Sequence, residues 1–324
     1  MLIVVLFITA MFSMLLGKYE VSVSDIFLII RDLVFKTKSN VDEMSRNVIL
    51  GLRLPRVIAA LIVGMSLSIS GVAFQGIFNN PLVSPDFLGV SQGACIGASI
   101  AILLSMNAIF VNVFAFVGGI ISVIITMMIT RVIKFKSQIN LVLAGIIVGT
   151  LMSSILGFIK FIADPDTELA SITYWTMGSF SYVDINVVIV SVILVIAFGI
   201  ILYKLSWKID ILATGDAEAK ILGLDVMLVR RIVIISSTIL TATSICIAGT
   251  IGWVGLIIPH FARIIVGSSN KKLFPIAALS GGIFMILVDT LTRSIGNIEM
   301  PVSILTGFIG APVFLLLLYV KRSR

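Results

Sequence analysis

The chain has a single histidine and two cysteines among 324 residues. His260 stands apart from any HExxH run or Cys/His cluster, which leaves no ligand set for a zinc site. Beside Pro259 it reads as a structural helix-end residue. Cys95 and Cys246 both fall in apolar runs, the pattern of buried thiols rather than a disulfide framework. No GxxxxGK[ST] loop is present, so the chain does not hydrolyse nucleotide by itself. Charge is also scarce, at 12% Asp, Glu, Lys and Arg against about 25% in soluble domains. A membrane enzyme would need an acid–base or metal constellation, and none is visible. The N-terminus lacks a charged n-region and a clear small-residue cleavage site, so residues 2–16 read as a first span and not a signal peptide.

What the chain has in abundance is apolar sequence, 59% of its residues, with a mean hydropathy of +1.19. Repeated runs of about 20 apolar residues are the mark of spanning helices. The pattern predicts an all-α polytopic membrane protein with about ten spans, at 1–17, 57–78, 87–106, 111–130, 141–162, 185–203, 232–248, 252–266, 274–295 and 301–320. Pro55 reads as a helix start, where a missing N–H costs nothing. Ten spans put both termini on one side. Assigning that side to the cytoplasm places the larger share of the 23 Lys and Arg residues inside. The basic segment 18–56 falls outside and departs from the rule. Two small-residue motifs, Gly93-xxx-Gly97 and Gly145-xxx-Gly149, permit close helix contact.

Residues 204–231, KLSWKIDILATGDAEAKILGLDVMLVRR, form the longest polar interruption in the second half. Within it, 213–224 reads as one or two short helices punctuated by Gly215 and Gly223. Asp216 and Glu218 near its start and Lys220 further on have the polarity a helix dipole favours. Such an element, held between two spans, is a shape another protein can grip; a solvated loop is the plainer reading. Asp289 and Arg293 form an i,i+4 pair inside a span, either a functional site or a mutual salt bridge. A secondary transporter driven by an ion gradient would want buried mid-bilayer carboxylates, and Asp289 alone comes close.

Six segments carry a family likeness: RLPR at 53–56, SGVAFQGIFNNPLVSPDFLGVSQGA at 70–94, YWTMGSF at 174–180, GDAEAKILGLD at 215–225, GTIGWVGLIIPHFARIIVG at 249–267 and EMPVSILTGFIGAPVF at 299–314. Together, in this order, they resemble the FecCD-type permease subunits of iron-chelate and vitamin B12 ABC importers. The resemblance implies one permease domain over 1–324 with a vitamin B12 importer-like fold, in the cytoplasmic membrane of a prokaryote. It implies a second permease subunit, identical or homologous, two ATPase subunits that use ATP and Mg, and an extracytoplasmic substrate-binding lipoprotein; no cofactor is expected on this chain. The segment 204–231 would couple to the ATPase through Gly215, Asp216, Ala217, Glu218, Ala219, Leu222, Gly223 and Leu224. Arg53, Arg56 and Arg293 would dock on carboxylates of the binding protein, which would account for the basic outer segment. An inner gate would map to Ser137, Gln138 and Asn140. The expected cargo is a ferric siderophore, with haem, cobalamin and oxyanions as alternatives on the same fold.

Overall fold

The computed structural model describes residues 1–37, 39, 41–132, 138–181, 183–295 and 298–322. Among them there is no strand. The helices are α1 (Leu2–Leu15), α2 (Val23–Phe35), α3 (Glu43–Asn47), α4 (Leu54–Ile77), α5 (Val90–Leu103), α6 (Ala108–Val132), α7 (Gln138–Ile162), α8 (Glu168–Met177), α9 (Ile185–Lys204), α10 (Ser206–Leu212), α11 (Asp216–Ile221), α12 (Val226–Ala248), α13 (Val254–Val266), α14 (Asn270–Ser294) and α15 (Val302–Arg322). Six are long and apolar enough to cross a membrane, counting α3 and α4 as one continuous rod. Four shorter apolar helices, α1, α5, α13 and α15, stand where the remaining expected spans fall.

The second expected span starts earlier than Pro55 suggests. The helix runs unbroken from Glu43 to Ile77 through a π-helical stretch, Val48–Arg53. A proline ring inside a helix meets the carbonyl four residues back, here that of Gly51, and a π turn widens the helix at that point. Pro55 is thus accommodated within the rod rather than at its start. His260 is displaced in the same sense: it lies in the middle of α13, one residue after an internal Pro259, and not at a helix end.

α4 is the most enclosed helix, with 83% of its apolar window buried, followed by α12 and α14; α6, α7 and α9 are largely exposed. The reason lies in the small residues of α4. A Cβ on Gly64 would meet the Gly281 carbonyl at 2.1 Å, and one on Gly71 the Gly255 carbonyl at 1.9 Å. With no side chains in the way, α14 and α13 press directly on α4. Two hydroxyls of α4 are answered by α12: Ser66 Oγ donates to the Leu240 carbonyl at 2.6 Å and Ser70 Oγ to that of Ser237 at 3.2 Å. At membrane depth no water does this for them.

The two small-residue motifs act differently. Gly93 and Gly97 bring α5 against α6, where a Cβ would meet the carbonyls of Gly118 and Phe114. Gly145 instead receives a short 3-10 turn, Pro85–Leu88, whose Phe87 carbonyl would lie 1.9 Å from a Cβ there.

Candidate functional site

Two constellations stand out, at opposite ends of the antiparallel pair α4 and α14. The first is the short-helix segment α10–α11. Gly215, at φ 128°, precedes α11 in a backbone conformation that favours glycine, and Gly223, at φ 79°, follows it. The Gly223 N–H bonds to the Lys220 carbonyl and that of Leu224 to Ala219, closing the helix with a left-handed turn. Asp225 then caps α12, accepting from the Leu228 N–H at 3.0 Å. Arg230 grips Asp216 through two bonds of 2.6 and 2.8 Å, so α11 is tied to the first turns of α12. Ala219 is buried, whereas Ala217, Glu218, Ile221 and Leu222 face outward, Ile221 at 84% exposure. Met227 and Leu228 extend this exposed apolar patch.

The segment is anchored on two spanning helices. Asp210 in α10 accepts from the Asn270 N–H at 3.0 Å and from its Nδ2 at 2.7 Å, at the N-terminus of α14. Ile209 fits over Gly76 of α4, and Asn79 Nδ2 donates to the Ala213 carbonyl at 3.2 Å. A cavity of about 450 Å³ lies beside these contacts, lined by Gln75, Asn80, His260 and Arg263 among others. Arg263 donates to the Gln75 side-chain oxygen and so joins α13 to α4.

The second constellation gathers Arg53, Arg56, Asp289, Arg293 and Glu299. Arg56 Nε donates to Asp289 Oδ1 at 2.7 Å, and its Nη1 reaches Glu299 at 3.0 Å. Arg293 Nε lies 3.5 Å from the other Asp289 oxygen, the i,i+4 pair expected from the sequence. Glu299 also accepts from Ser181 Oγ. Asp289 is fully buried.

Two of the three arginines assigned to docking find backbone partners within the chain. Arg53 and Arg293 are buried, and their guanidinium groups are spent inside the chain. Helix α1 ends at Leu15 with no basic residue in its last turn, leaving carbonyls without donors. Arg53 donates to the carbonyls of Met14, Leu15 and Tyr19, and Arg293 to those of Ser13 and Leu16. Gly17 leaves room for the Arg53 fork, since a Cβ there would lie 2.5 Å from its Nη2. The two cations cap a helix C-terminus from outside it, with the sign its dipole favours. Of the three arginines, Arg56 sits at the more open edge, next to Glu299.

Asn140 lies half-buried in the first turn of α7, while Ser137 and the side chain of Gln138 fall outside the described residues. Among the described residues no group of His, Cys, Asp and Glu is suited to a metal ion. Cys246 lines a second cavity of about 810 Å³ at the end of the bundle that holds Glu299, with Trp175, Ser179 and Asp184. The sequence reading missed Arg230, Asp210, Asn270 and Glu299. Asp210, Asn270 and Glu299 take their partners from distant segments, and Arg230 finds Asp216 fourteen positions back.

The model of the FecCD transport family matches residues 3–320. The chain is 38% identical to the molybdate import system permease protein MolB of Haemophilus influenzae, over 99% of this chain and 95% of that one. It is likewise 38% identical to the "Probable iron chelatin transport system permease protein" of Helicobacter pylori, over 85% of this chain and 83% of that one. A solved inward-facing structure, described as an ABC transporter of the metal-chelate type, superposes with a TM-score of 0.88 at 36% identity, covering 98% of this chain and 97% of that one. The match extends over α10–α11 and the ionic cluster alike, and the chain belongs to the FecCD transport family of ABC permeases.

Proposed function

We propose that this chain is the permease subunit of an ATP-driven importer that carries an iron chelate, a ferric siderophore, across the cytoplasmic membrane of a prokaryote. The observation that carries the reading is the exposed apolar patch of Ile221, Leu222, Met227 and Leu228 on α11 and the start of α12. A patch of this kind, rimmed by charged residues on a short braced helix, suits a protein partner. The partner in this reading is an ATPase subunit, which binds ATP and Mg; this chain holds no cofactor. Residues 1–324 then form one permease domain, 204–231 its coupling segment, and both termini lie on the cytoplasmic side. A second permease subunit completes the pathway, and a substrate-binding lipoprotein lands on the outer rim around Arg56 and Glu299. ATP binding and hydrolysis supply the differential stabilisation that moves the complex between two arrangements.

The iron-chelate assignment is supported by the Helicobacter relative and by the metal-chelate type of the solved neighbour. A molybdate cargo is the second reading, favoured by the near full-length match to MolB. Uptake of radiolabelled ferric chelate and of radiolabelled molybdate, in vesicles holding the permease, its ATPase and its binding protein, separates the two. Leu222→Asp tests the coupling segment: the folded permease should no longer co-purify with the ATPase. Retention of the ATPase with undiminished uptake would refute that role.

A further inference from the structure

The exposed surfaces of the spanning helices are not alike. Between Ile109 and Met128, every fully exposed residue of α6 is apolar, and its Ser122 and Thr126 are buried. α9 exposes Ile189, Val190, Ile193, Ile196 and Ile200 and buries its Ser191. These surfaces suit lipid. α7 departs from the pattern: Gly149, Thr150, Ser153, Ser154 and Gly157 form one stripe at helical spacing, with both serines and the threonine exposed at mid-helix. A hydroxyl stripe that the protomer leaves uncovered at membrane depth belongs to a wet passage or to a protein contact.

Against that stripe sits a carboxylate. The 3-10 turn at Pro85–Leu88 presses into α7 at Gly145, about two turns from the start of that helix, and carries Asp86. Asp86, Ser84, Gln92, Thr150 and Ser153 line a cavity of about 370 Å³. Ser91 Oγ donates to Asp86 Oδ1. Among the described residues no cation lies within 4.0 Å of the Asp86 carboxylate. Gln92 Oε1 also lacks a hydrogen-bond partner. The cavity therefore offers an acceptor without a donor, Gln92 Oε1, beside a carboxylate whose side-chain hydrogen bond comes from the neutral Ser91 hydroxyl. Thr150 Oγ1 is already committed to its own helix, donating to the Ile146 carbonyl.

We propose that Asp86 and Gln92 form a cargo-contact site in the wall of the transport passage, one that takes hydrogen-bond-donating or cationic groups and turns away oxyanions. The proposal rests on the importer reading. It names the chemistry the passage selects: a chelate with an ammonium, hydroxyl or amide donor on its surface finds two acceptors there, whereas an oxyanion meets a carboxylate with no cation beside it.

The test uses the permease–ATPase complex in nanodiscs, with Cys95→Ala and Cys246→Ala as the labelling background. A charged thiol reagent should label Ser153→Cys and leave Ile189→Cys, on the lipid-suited surface of α9, unlabelled. The binding probes are a gallium trihydroxamate with a free ammonium group and the same chelate with that amine acetylated. The native complex should bind the ammonium form at least fivefold more tightly, and Asp86→Asn should bring the ratio close to one. An unlabelled Ser153→Cys, equal binding of the two probes by the native complex, binding of neither, or a preference that survives Asp86→Asn would each overturn the proposal. The importer reading fails by a different sign, the absence of an ATPase from the purified complex.

Discussion

Arg56 Nε and Asp289 Oδ1 lie 2.7 Å apart although 233 positions separate them in the chain, and the aspartate is wholly shielded from solvent. The pair joins the beginning of α4 to the end of α14. Stranding one member of a buried ion pair costs about 3–5 kcal/mol; here Asp289 keeps Arg293 and Arg56 keeps Glu299, so each single loss should fall below that range. Asp289→Asn and Arg56→Gln should each lower the thermal midpoint of the purified permease in detergent. The double variant should lose clearly less than the sum, because both substitutions remove the same contact. Additive losses would show that the two residues do not act on each other.

Arg53→Gln should loosen α1. The substitution removes charged donors from three carbonyls, and hydrogen bonds to charged groups contribute about 1.5–3 kcal/mol each. Hydrogen exchange should speed up over residues 2–17 while α11 and α12 keep their protection. Unchanged exchange in α1 would mean that its C-terminal carbonyls are satisfied without the arginine.

Asp32 gives the segment between α1 and α4 a pH dependence. Hydrogen bonds donated by the Ser39 side chain and N–H, then by Thr37 and Arg46, hold its carboxyl far below the ordinary aspartate range. A depressed folded pKa contributes stability that is fully present above the unfolded value, about 3.9, and is lost as pH falls through the folded one. Proteolysis of residues 18–53 should therefore be unchanged between pH 7 and pH 5. Asp32→Asn should make the same segment susceptible at pH 7. Marked protection in the native protein lost already at pH 5 would contradict the assignment.

Gly64→Ala tests the contact between α4 and α14. Its Cβ would meet backbone, the Gly281 carbonyl at 2.1 Å, so the helices themselves must separate. Overpacking of this kind costs roughly 1–3 kcal/mol. A lowered thermal midpoint is expected, whereas Gly157→Ala, with nothing within 4 Å of its Cβ, should be neutral.

The ten apolar helices, six of them long enough to cross a membrane, were legible because hydropathy is decided locally. The two short helices were legible in part: α11 falls where Gly215 and Gly223 punctuate the chain, but α10 was hidden in SWKIDIL, which reads as polar loop. Its helical form rests on burial of Ile209, Ile211 and Leu212 against other segments. Pro55 misled the placement of the second span because a π turn leaves no trace in composition. Arg53 and Arg293 looked like surface cations for a related reason: the bare carbonyls of α1 that claim them become visible only once the fold brings α1 alongside. Asp289 with Arg293 was readable from spacing alone, while Glu299 needed the fold to place it beside Arg56.

The three attachments of α10, to Gly76, Asn79 and Asn270, have a mechanical consequence. A push on α10 and α11 would pass through these contacts into α4 and α14 together. α14 has 25 residues, a lever about 37 Å long at 1.5 Å per residue, so a tilt of ~5° at its base sweeps the tip by roughly 3 Å. Asp289 and Arg293 ride on α14 together, whereas Arg56 belongs to α4, so a sweep of this size relative to α4 would open the 2.7 Å Arg56–Asp289 pair and leave the 3.5 Å Asp289–Arg293 pair intact. The ionic cluster is in that sense a latch between the two helices, which any such tilt has to unfasten.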